Sequence, residues 1–578
     1  MEKRWVIKEE TEQPTMIKLI EELGVSKPIA NVLGQRGITT FDEAKAYFRP
    51  NLNDLHDPFL MKGMKQAIDR IEKAIANEEN ILIYGDYDVD GTTAVSLVYS
   101  FLSREYERIG YYIPDRYKEG YGISIQGVDF SIDNSFSLVI SLDCGIKAVD
   151  EIAYAKENGV DFIVCDHHTT PKILPDAIIL NPKQIDCSYP FKELCGCGVG
   201  FKLVQALNQL RGGTMDDISN LLDLLVVAIG ADVVSMSGEN RILASCGLEL
   251  LNSHPRIGFK RLLDLAHQEG SLTVRDVVFT LAPRINAAGR IESGNQAVQL
   301  LLAETDEEVE SISKQINVHN ETRKGLDREI TEEALKMIEL EKEFADLKAT
   351  VVFKEDWHKG VVGIVASRLI ETHYRPTIVL TESNGKIVGS ARSVKGFNIY
   401  EAINQCSNLL EQFGGHFYAA GLTMDPANLT EFRVRFCEIV AGTITDEQLV
   451  PEIEIDAEID FRDIFEHQRG GIPKFYRILR QIAPFGPDNV NPIFISRRVK
   501  DTSYSRILKD EHLKLNVYQE EYEDIKLNGI AFGLGYWLKK MQHQAVDIVY
   551  TLEENHWQGS SSLQLRVLDI RLSDRIIS

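Results

Sequence analysis

From residue 64 the chain alternates two kinds of apolar pattern. "MKQAIDRIEKAIANEEN" spaces its apolar residues three and four apart, the period of one helix face, and runs into the short continuous apolar stretch "ILIYG". The alternation goes on through helix "TTAVSLVYSFLSREY", strand "SLVISLD", helix "AVDEIAYAKENG" and strand "DFIVCD". Strands apolar at every position are buried on both faces, and strands separated by helices pair in parallel, so this stretch predicts a wound α/β sheet. Residues 215–300 read as mostly helical. "ETDEEVESISKQINVHNETRKGLDREITEEALKMIELEKE" is a long charged helix with apolar residues at helical spacing, suited to bridging two domains.

A second α/β unit starts at "ATVVFKEDWHKGVVGIVASRLIETHYRPTIVLTE". After Pro451 the period changes to two in "EIEIDAEID", "PIFISRRV", "LKLNVYQ" and "AVDIVYTL", which predicts a small β-barrel. Residues 1–60, with Pro14, Pro28, Pro50 and Pro58, are expected to form a helix-and-loop extension packed against the domain after it. The expected class is a multi-domain α/β protein. Its boundaries are an extension at 1–60, a parallel-sheet domain at 61–300, a connecting helix at 301–346, a smaller α/β domain at 347–445 and a barrel at 446–578.

Composition narrows this only a little. A chain of 578 residues, 44% hydrophobic and 26% charged, is a globular protein of several domains. "MEKRWVIKEETEQPT" lacks the apolar stretch of a signal peptide, and the most apolar run, "LLDLLVVAIGADVV", is broken by Asp223 and Asp232 and too short to cross a bilayer. A cytoplasmic protein with no membrane partner is expected. The cysteines at 144, 165, 187, 195, 197, 246, 406 and 437 form no C-x-x-C pair, so free buried thiols are expected. A formal charge of −24 argues against an overall basic surface but says nothing about a local groove.

The chemistry gathers at strand ends. "ILIYGDYDVDGTTA" sets Asp86, Asp88 and Asp90 at alternate positions after an apolar strand. A calcium-binding EF-hand loop has this spacing but needs a glutamate at its twelfth position, here Leu97, and a preceding helix. The D-x-D-G-T loop of dehalogenase-type phosphatases is the closer lookalike, with Asp88 as nucleophile and Asp90 as acid, but it also calls for a downstream lysine and acidic pair in their own context, and the sequence does not mark one out. Two further strands end in Asp143 and in Asp166, His167 and His168. In an open α/β sheet those ends are where ligands bind, and carboxylates with imidazoles make a hard, oxygen-rich site that favours manganese or magnesium over structural zinc. Asp232 interrupts a buried apolar segment and needs a cation or donor beside it.

D-Y-D-V-D-G, L-D-C-G, D-H-H and G-A-D-V-V, in this order, resemble the DHH phosphoesterase family. The resemblance implies two divalent ions, Mn2+ or Mg2+, held by Asp86, Asp88, Asp143, His167 and Asp232, with Asp143 bridging. Asp90, Asp166 and His168 would then stand in or just behind that shell as catalytic groups. Some members carry a histidine where this chain has Tyr84, which implies a metal position less fully ligated and more readily lost.

Several motifs outside this centre are individually ordinary: a surface arginine, a Gly-Gly turn, an aromatic filling a gap. They are Arg284, Asn286 and Arg290 in "LAPRINAAGRI", Arg116 and Tyr121 in "IPDRYKEGYG", Arg368 in "GIVASRLIE", Ser390 and Arg392 in "GSARS", and Gly415 and His416 in "GGHFYAAG". Together they resemble the DHHA1 domain and the family's single-strand-specific exonucleases. That resemblance implies removal of nucleotides from the 5′ end of single-stranded DNA in recombination and repair. Arg116, Arg284, Ser390 and Arg392 would hold the terminal phosphate and nearby backbone, Tyr121 would stack near the cleaved end, and His416 would reach across an interdomain cleft.

The barrel resembles an OB-fold that grips the strand, each stacked base contributing ~1–3 kcal/mol, through Arg497, Arg498, Lys500, Phe494, Tyr504, Tyr518 and Tyr536. A monomer is expected, with a single-strand-binding protein and a helicase as implied partners. Longer members carry a further domain for partner contacts, whereas this chain ends at Ser578. The rival enzyme reading, a DHH–DHHA1 hydrolase of short oligoribonucleotides or cyclic dinucleotides, fits a shorter chain. A non-catalytic scaffold would have lost metal ligands, and all five are present.

Overall fold

The computed structural model describes residues 2–291, 293–340, 347–465, 471–557 and 560–573. The chain opens with β1 (Arg4–Ile7) and helices Gln13–Leu23, Lys27–Gly34 and Phe41–Phe48. A parallel sheet comes next, built from β2 (Asn80–Gly85), β3 (Ile109–Tyr112), β4 (Phe136–Leu142), β5 (Asp161–Cys165) and β6 (Ile178–Leu180) in the order β3-β2-β4-β5-β6. Along β2, Ile81 and Ile83 enter one core and Leu82 and Tyr84 another, which is why the strand reads as continuously apolar. Gly85 pairs with Leu142 and Leu142 with Cys165, so the loops after β2, β4 and β5 leave the sheet at one edge. The short strands β3 and β6 gave no distinct apolar run in the sequence.

Helices Val89–Leu102, Gly196–Leu210 and Leu222–Ala231 pack on one another beside this sheet. Among them lies a buried ion pair, Lys202 Nζ to Glu239 Oε1 at 2.6 Å, with the Tyr189 hydroxyl (2.5 Å) and the His56 N–H (2.9 Å) also donating to the Glu239 carboxylate. Removing the cation strands a buried carboxylate. Lys202→Met is therefore expected to cost about 3–5 kcal/mol and to lower the melting temperature of this unit by several degrees, measured by calorimetry; an unchanged transition would show that Glu239 is neutral without it.

The helix Asp306–Leu340 places Val309 and Ile316 in the core of the first unit and Ile330, Ala334 and Ile338 in that of the second, which makes it the bridge its pattern predicts. The expected end of this connector, residues 341–346, lies outside the described residues. The second unit holds β7 (Thr350–Phe353), β8 (Thr377–Ser383), β9 (Lys386–Arg392), β10 (Gln412–Gly415) and β11 (Ala419–Met424) in the order β10-β11-β9-β8-β7, parallel only between β7 and β8.

The last unit contains β12 (Glu452–Ile455), β13 (Ala457–Glu458), β14 (Phe494–Asp501), β15 (Arg506–Leu508), β16 (His512–Gln519), β17 (Tyr522–Ala531), β18 (Val546–Trp557) and β19 (Ser560–Leu572). Seven of these run β13-β14-β18-β19-β17-β16-β15, and a further β14–β16 pairing closes the barrel.

The N-terminal extension departs from expectation. Only Leu52, Leu55 and Phe59 join the core of the parallel-sheet unit. Met16, Leu19, Ile29 and Leu33 instead share one core with Phe461, Phe475, Leu479 and Val546 of the barrel unit. β1 pairs in parallel with β12 from Arg4↔Glu452 to Ile7↔Ile455, and the Asn31 amide donates to the carbonyl of Asp456, 425 residues away (2.9 Å). The apolar stripes of these helices find their complement only on the barrel.

The barrel unit touches both α/β units, through Met236 N–H to Pro487 O (2.8 Å) and Arg241 to Ile482 O (2.8 Å) on one and Lys395 to Glu452 (3.1 Å) on the other. The eight cysteines are free, and all but the partly buried Cys246 are buried. No helix among the described residues is long and apolar enough to cross a membrane.

Candidate active site

Four loops deliver the acidic groups to one point. Asp86 follows β2 directly. Asp88 caps the helix Val89–Leu102, its Oδ1 accepting the Gly91 N–H at 3.0 Å. Asp143 follows β4 in the left-handed region (φ 60), pinned by its N–H on Cys165 O at 2.9 Å. His167 follows β5, and its Nε2 lies 3.1 Å from Asp143 Oδ1, 3.6 Å from Asp232 Oδ2 and 3.9 Å from Asp90 Oδ2. Asp232 comes from the C-terminal end of the helix Leu222–Ala231.

Both Asp86 oxygens, Asp143 Oδ1, Asp232 Oδ2 and both His167 ring nitrogens are buried without a hydrogen-bond partner among the described residues. Burial first, and neighbouring carboxylates second, push Asp86 and Asp143 well above the ordinary carboxylate range and Asp232 up to about 9. Burial and the neighbouring His168 take His167 down to about 3. Such a cluster cannot stay ionised alone, and its oxygen-rich donor set with one imidazole is the kind that holds hard divalent cations.

The groups around it are satisfied instead. Asp90 accepts the Gly196 (2.6 Å) and Cys197 (2.8 Å) N–H groups at the start of the helix Gly196–Leu210; burial and Asp88 still raise it to about 6. Asp166 accepts the Ile146, His167 and His168 N–H groups and meets His168 Nδ1 at 2.7 Å. Burial opposes its ionisation, but the His168 contacts hold it down to about 2. Asp166 thus orients His168, whose Nε2 lies 3.2 Å from the Tyr121 hydroxyl. Across the cleft the His416 ring stacks parallel to His168, centroids 6.3 Å apart and planes at 15°.

This cleft, about 850 Å³, runs between the first and second α/β units, with Asp88, Tyr121 and His168 on one wall and Gly415 and His416 on the other. It shares Tyr87, Gly389 and Gly421 with a smaller pocket of about 280 Å³ lined by Arg116, Arg290, Lys359, Ser390 and Arg392. None of those four cations has a carboxylate within ion-pair distance among the described residues. Arg290 donates to Gly360 O (3.0 Å) and Arg392 to Ser390 Oγ (2.9 Å). Burial, then Arg116, lowers both guanidiniums, Arg290 to about 10. The pocket is built for an anion.

Three family models match the chain: the DHH family N-terminal domain over residues 80–229, the DHHA1 domain over 346–442 and the RecJ OB domain over 455–569. The single-stranded-DNA-specific exonuclease RecJ of Bacillus subtilis (strain 168) is 38% identical over 99% of this chain and 71% of its own length. The chain belongs to the RecJ family. The RecJ of Haemophilus influenzae is 31% identical over 89% of this chain and 92% of its own length. The solved structure of RecJ in complex with Mn2+ from Thermus thermophilus superposes with a TM-score of 0.85 at 26% identity, covering 99% of this chain and 80% of that one.

In this RecJ-family chain the structure gathers Asp86, Asp88, Asp90, Asp143, Asp166, His167, His168 and Asp232 at one edge, with Tyr121, Gly415 and His416 at the cleft and Arg116, Arg290, Ser390 and Arg392 in the arginine pocket. Three expected residues lie elsewhere. Arg284 donates to Thr280 O (2.7 Å) and Asn317 Oδ1 (3.3 Å), bracing the bridging helix, and Arg368 is paired with Asp327 of that helix (2.8 Å). Asn286 lines neither pocket. Tyr84 points into the opposite core, its hydroxyl donating to Gly122 O at 3.0 Å.

In the barrel, Arg497 is paired with Glu458 and Asp547, Arg498 and Lys500 share Glu520, and Phe494 is fully buried, so the basic run carries little free charge. Sequence reasoning missed Lys359, which sits over the Tyr117 ring at 4.5 Å. A lone lysine in "DWHKGVVG" carries no signal until the fold brings three arginines beside it.

Proposed function

We propose that this chain is a divalent-metal-dependent exonuclease that removes mononucleotides from the 5′ end of single-stranded DNA, in recombination and repair. One observation carries the reading: buried carboxylates and an imidazole without a hydrogen-bond partner among the described residues adjoin a pocket of four cations that no described carboxylate pairs. Asp86, Asp88, Asp143, His167 and Asp232 would hold two ions, manganese or magnesium, with Asp143 between them. When bound, such ions polarise the phosphoryl oxygens and acidify a water toward neutrality.

The chain's own groups do the rest. Arg116, Arg290, Arg392 and Lys359 hold the terminal phosphate, and Ser390 fixes the Arg392 guanidinium through its hydroxyl (2.9 Å). Tyr121 stands where the terminal base stacks. His168, held by Asp166, and His416 on the facing wall approach the bridging phosphate from two sides. Asp90 is locked by two backbone N–H groups and keeps the strand-end loop in place.

A hydrolase of short oligoribonucleotides or cyclic dinucleotides is not favoured, because relatives align through the barrel as well as the two α/β units. The units proposed are 61–300, 301–346, 347–445 and 446–578, the last gripping the strand. A monomer in the cytoplasm, meeting a single-strand-binding protein and a helicase, completes the reading.

The test is incubation of the protein and Mn2+ with end-labelled single-stranded DNA. Mononucleotide release that stops with chelator is expected; dinucleotide hydrolysis without action on long strands would replace the reading. Arg392→Ala is expected to reduce the preference for 5′-phosphate over 5′-hydroxyl ends about tenfold, more than it weakens binding of a long strand. Equal losses would move the terminal phosphate out of this pocket.

A further inference from the structure

The loops on either side of the Asp166–His168 turn each carry a lysine that the proposed reaction leaves without a role. The Ile146 N–H donates to Asp166 Oδ2 at 2.9 Å, which sets Lys147 on the cleft wall beside His168. The Asn181 amide donates to His168 O (2.9 Å) and its Oδ1 accepts the Lys183 N–H (2.8 Å), which fixes Lys183 on the other side of the same turn. Lys147 is exposed and has no carboxylate within 4.0 Å among the described residues, Glu151 on the same wall included. The carboxylate paired with Lys183, on Glu193, is 3.7 Å away, too far for a hydrogen bond.

Lys147 lines the same cleft as His168 and His416, and Asn181 ties the Lys183 backbone to the carbonyl of His168. Neither lysine lines the arginine pocket, so both stand beside the His168 turn and outside that pocket. The two pockets meet at Tyr87, Gly389 and Gly421 and only the cleft carries Lys147, so a strand whose 5′ phosphate sat among Arg116, Arg290 and Arg392 and continued past His168 and His416 would meet Lys147 in the cleft. We propose that Lys147 and Lys183 form a phosphate subsite on the 3′ side of the scissile bond, so that the cleft holds the backbone beyond the phosphodiester it cuts. The inference rests on the exonuclease reading and deepens it.

Each phosphate that a protein ceases to neutralise on a single strand lowers the slope of log Kobs against log salt by about 0.7. The Lys147→Gln/Lys183→Gln double variant is expected to lower that slope by about 1.4 for a 5′-phosphorylated decanucleotide and to weaken its binding about tenfold at moderate salt. Its KM for the decanucleotide should rise about tenfold relative to that for a 5′-phosphorylated dinucleotide, while the double arginine variant restores both. An unchanged slope, or equal rises for the two lengths, would overturn the subsite. Loss of cleavage in the wild-type protein itself would fall on the exonuclease reading, and the binding slope would still decide for or against the lysines.

Discussion

Asp143→Ala is expected to lower single-strand cleavage at least about a thousandfold, some 4 kcal/mol of transition-state stabilisation, while binding of a long strand stays within about threefold. The carboxylate stands 3.1 Å from His167 Nε2 and presents a buried oxygen that no donor among the described residues satisfies. Its place is fixed by an N–H bond to the neighbouring strand's Cys165. Binding has other supports, the cation pocket and the barrel, and loses only a negative charge that opposes the strand. Asp143→Asn, which keeps the shape, separates loss of charge from loss of packing. Wild-type turnover in the alanine variant, measured as mononucleotide release in Mn2+, would refute a bridging role.

Gly196→Ala tests the same centre from behind. A Cβ built at this position meets Asp143 Cβ at 2.5 Å, Oδ1 at 2.6 Å and Cα at 2.7 Å, distances that real side chains do not adopt. Asp143 is tied to β5, so the start of the helix Gly196–Leu210 must give way. That displaces the Gly196 and Cys197 N–H groups that satisfy Asp90. One added methyl is thus expected to reduce kcat about hundredfold, the effect of misplacing catalytic groups by about an ångström, with helical content intact by circular dichroism. Turnover within threefold of wild type would mean the helix start relaxes without disturbing the acids.

Both variants probe features that differ in how far the sequence reveals them. The α/β units and the acidic centre were legible because local pattern determines them: continuous apolar runs fix parallel strands, and parallel strands in register deliver Asp86, Asp143 and Asp166 to one edge. Arg284 and Arg368 lie outside the arginine pocket, which the sequence did not reveal because a cation in a loop or helix reads alike whether it meets a phosphate or an oxygen of the protein itself. Here Asp327 and Asn317 of the bridging helix claim them. The same ambiguity hid the neutralisation of Arg498 and Lys500 by Glu520, a partner that arrives only when β14 pairs with β16. Gly196 and Lys359 act through proximity between distant segments, which periodicity does not encode.

The union of the first helices with the barrel also sets an order of events during synthesis. Asn31 waits for Asp456, 425 residues later, an interval of roughly 20–85 s at a ribosomal rate of about 5–20 residues per second. Through that interval Met16, Leu19, Ile29 and Leu33 have emerged without the surface that buries them. The nascent chain therefore presents the apolar faces of these helices well before their cover, so that completion of the barrel, rather than emergence of the catalytic unit, marks the moment those faces are shielded from aggregation.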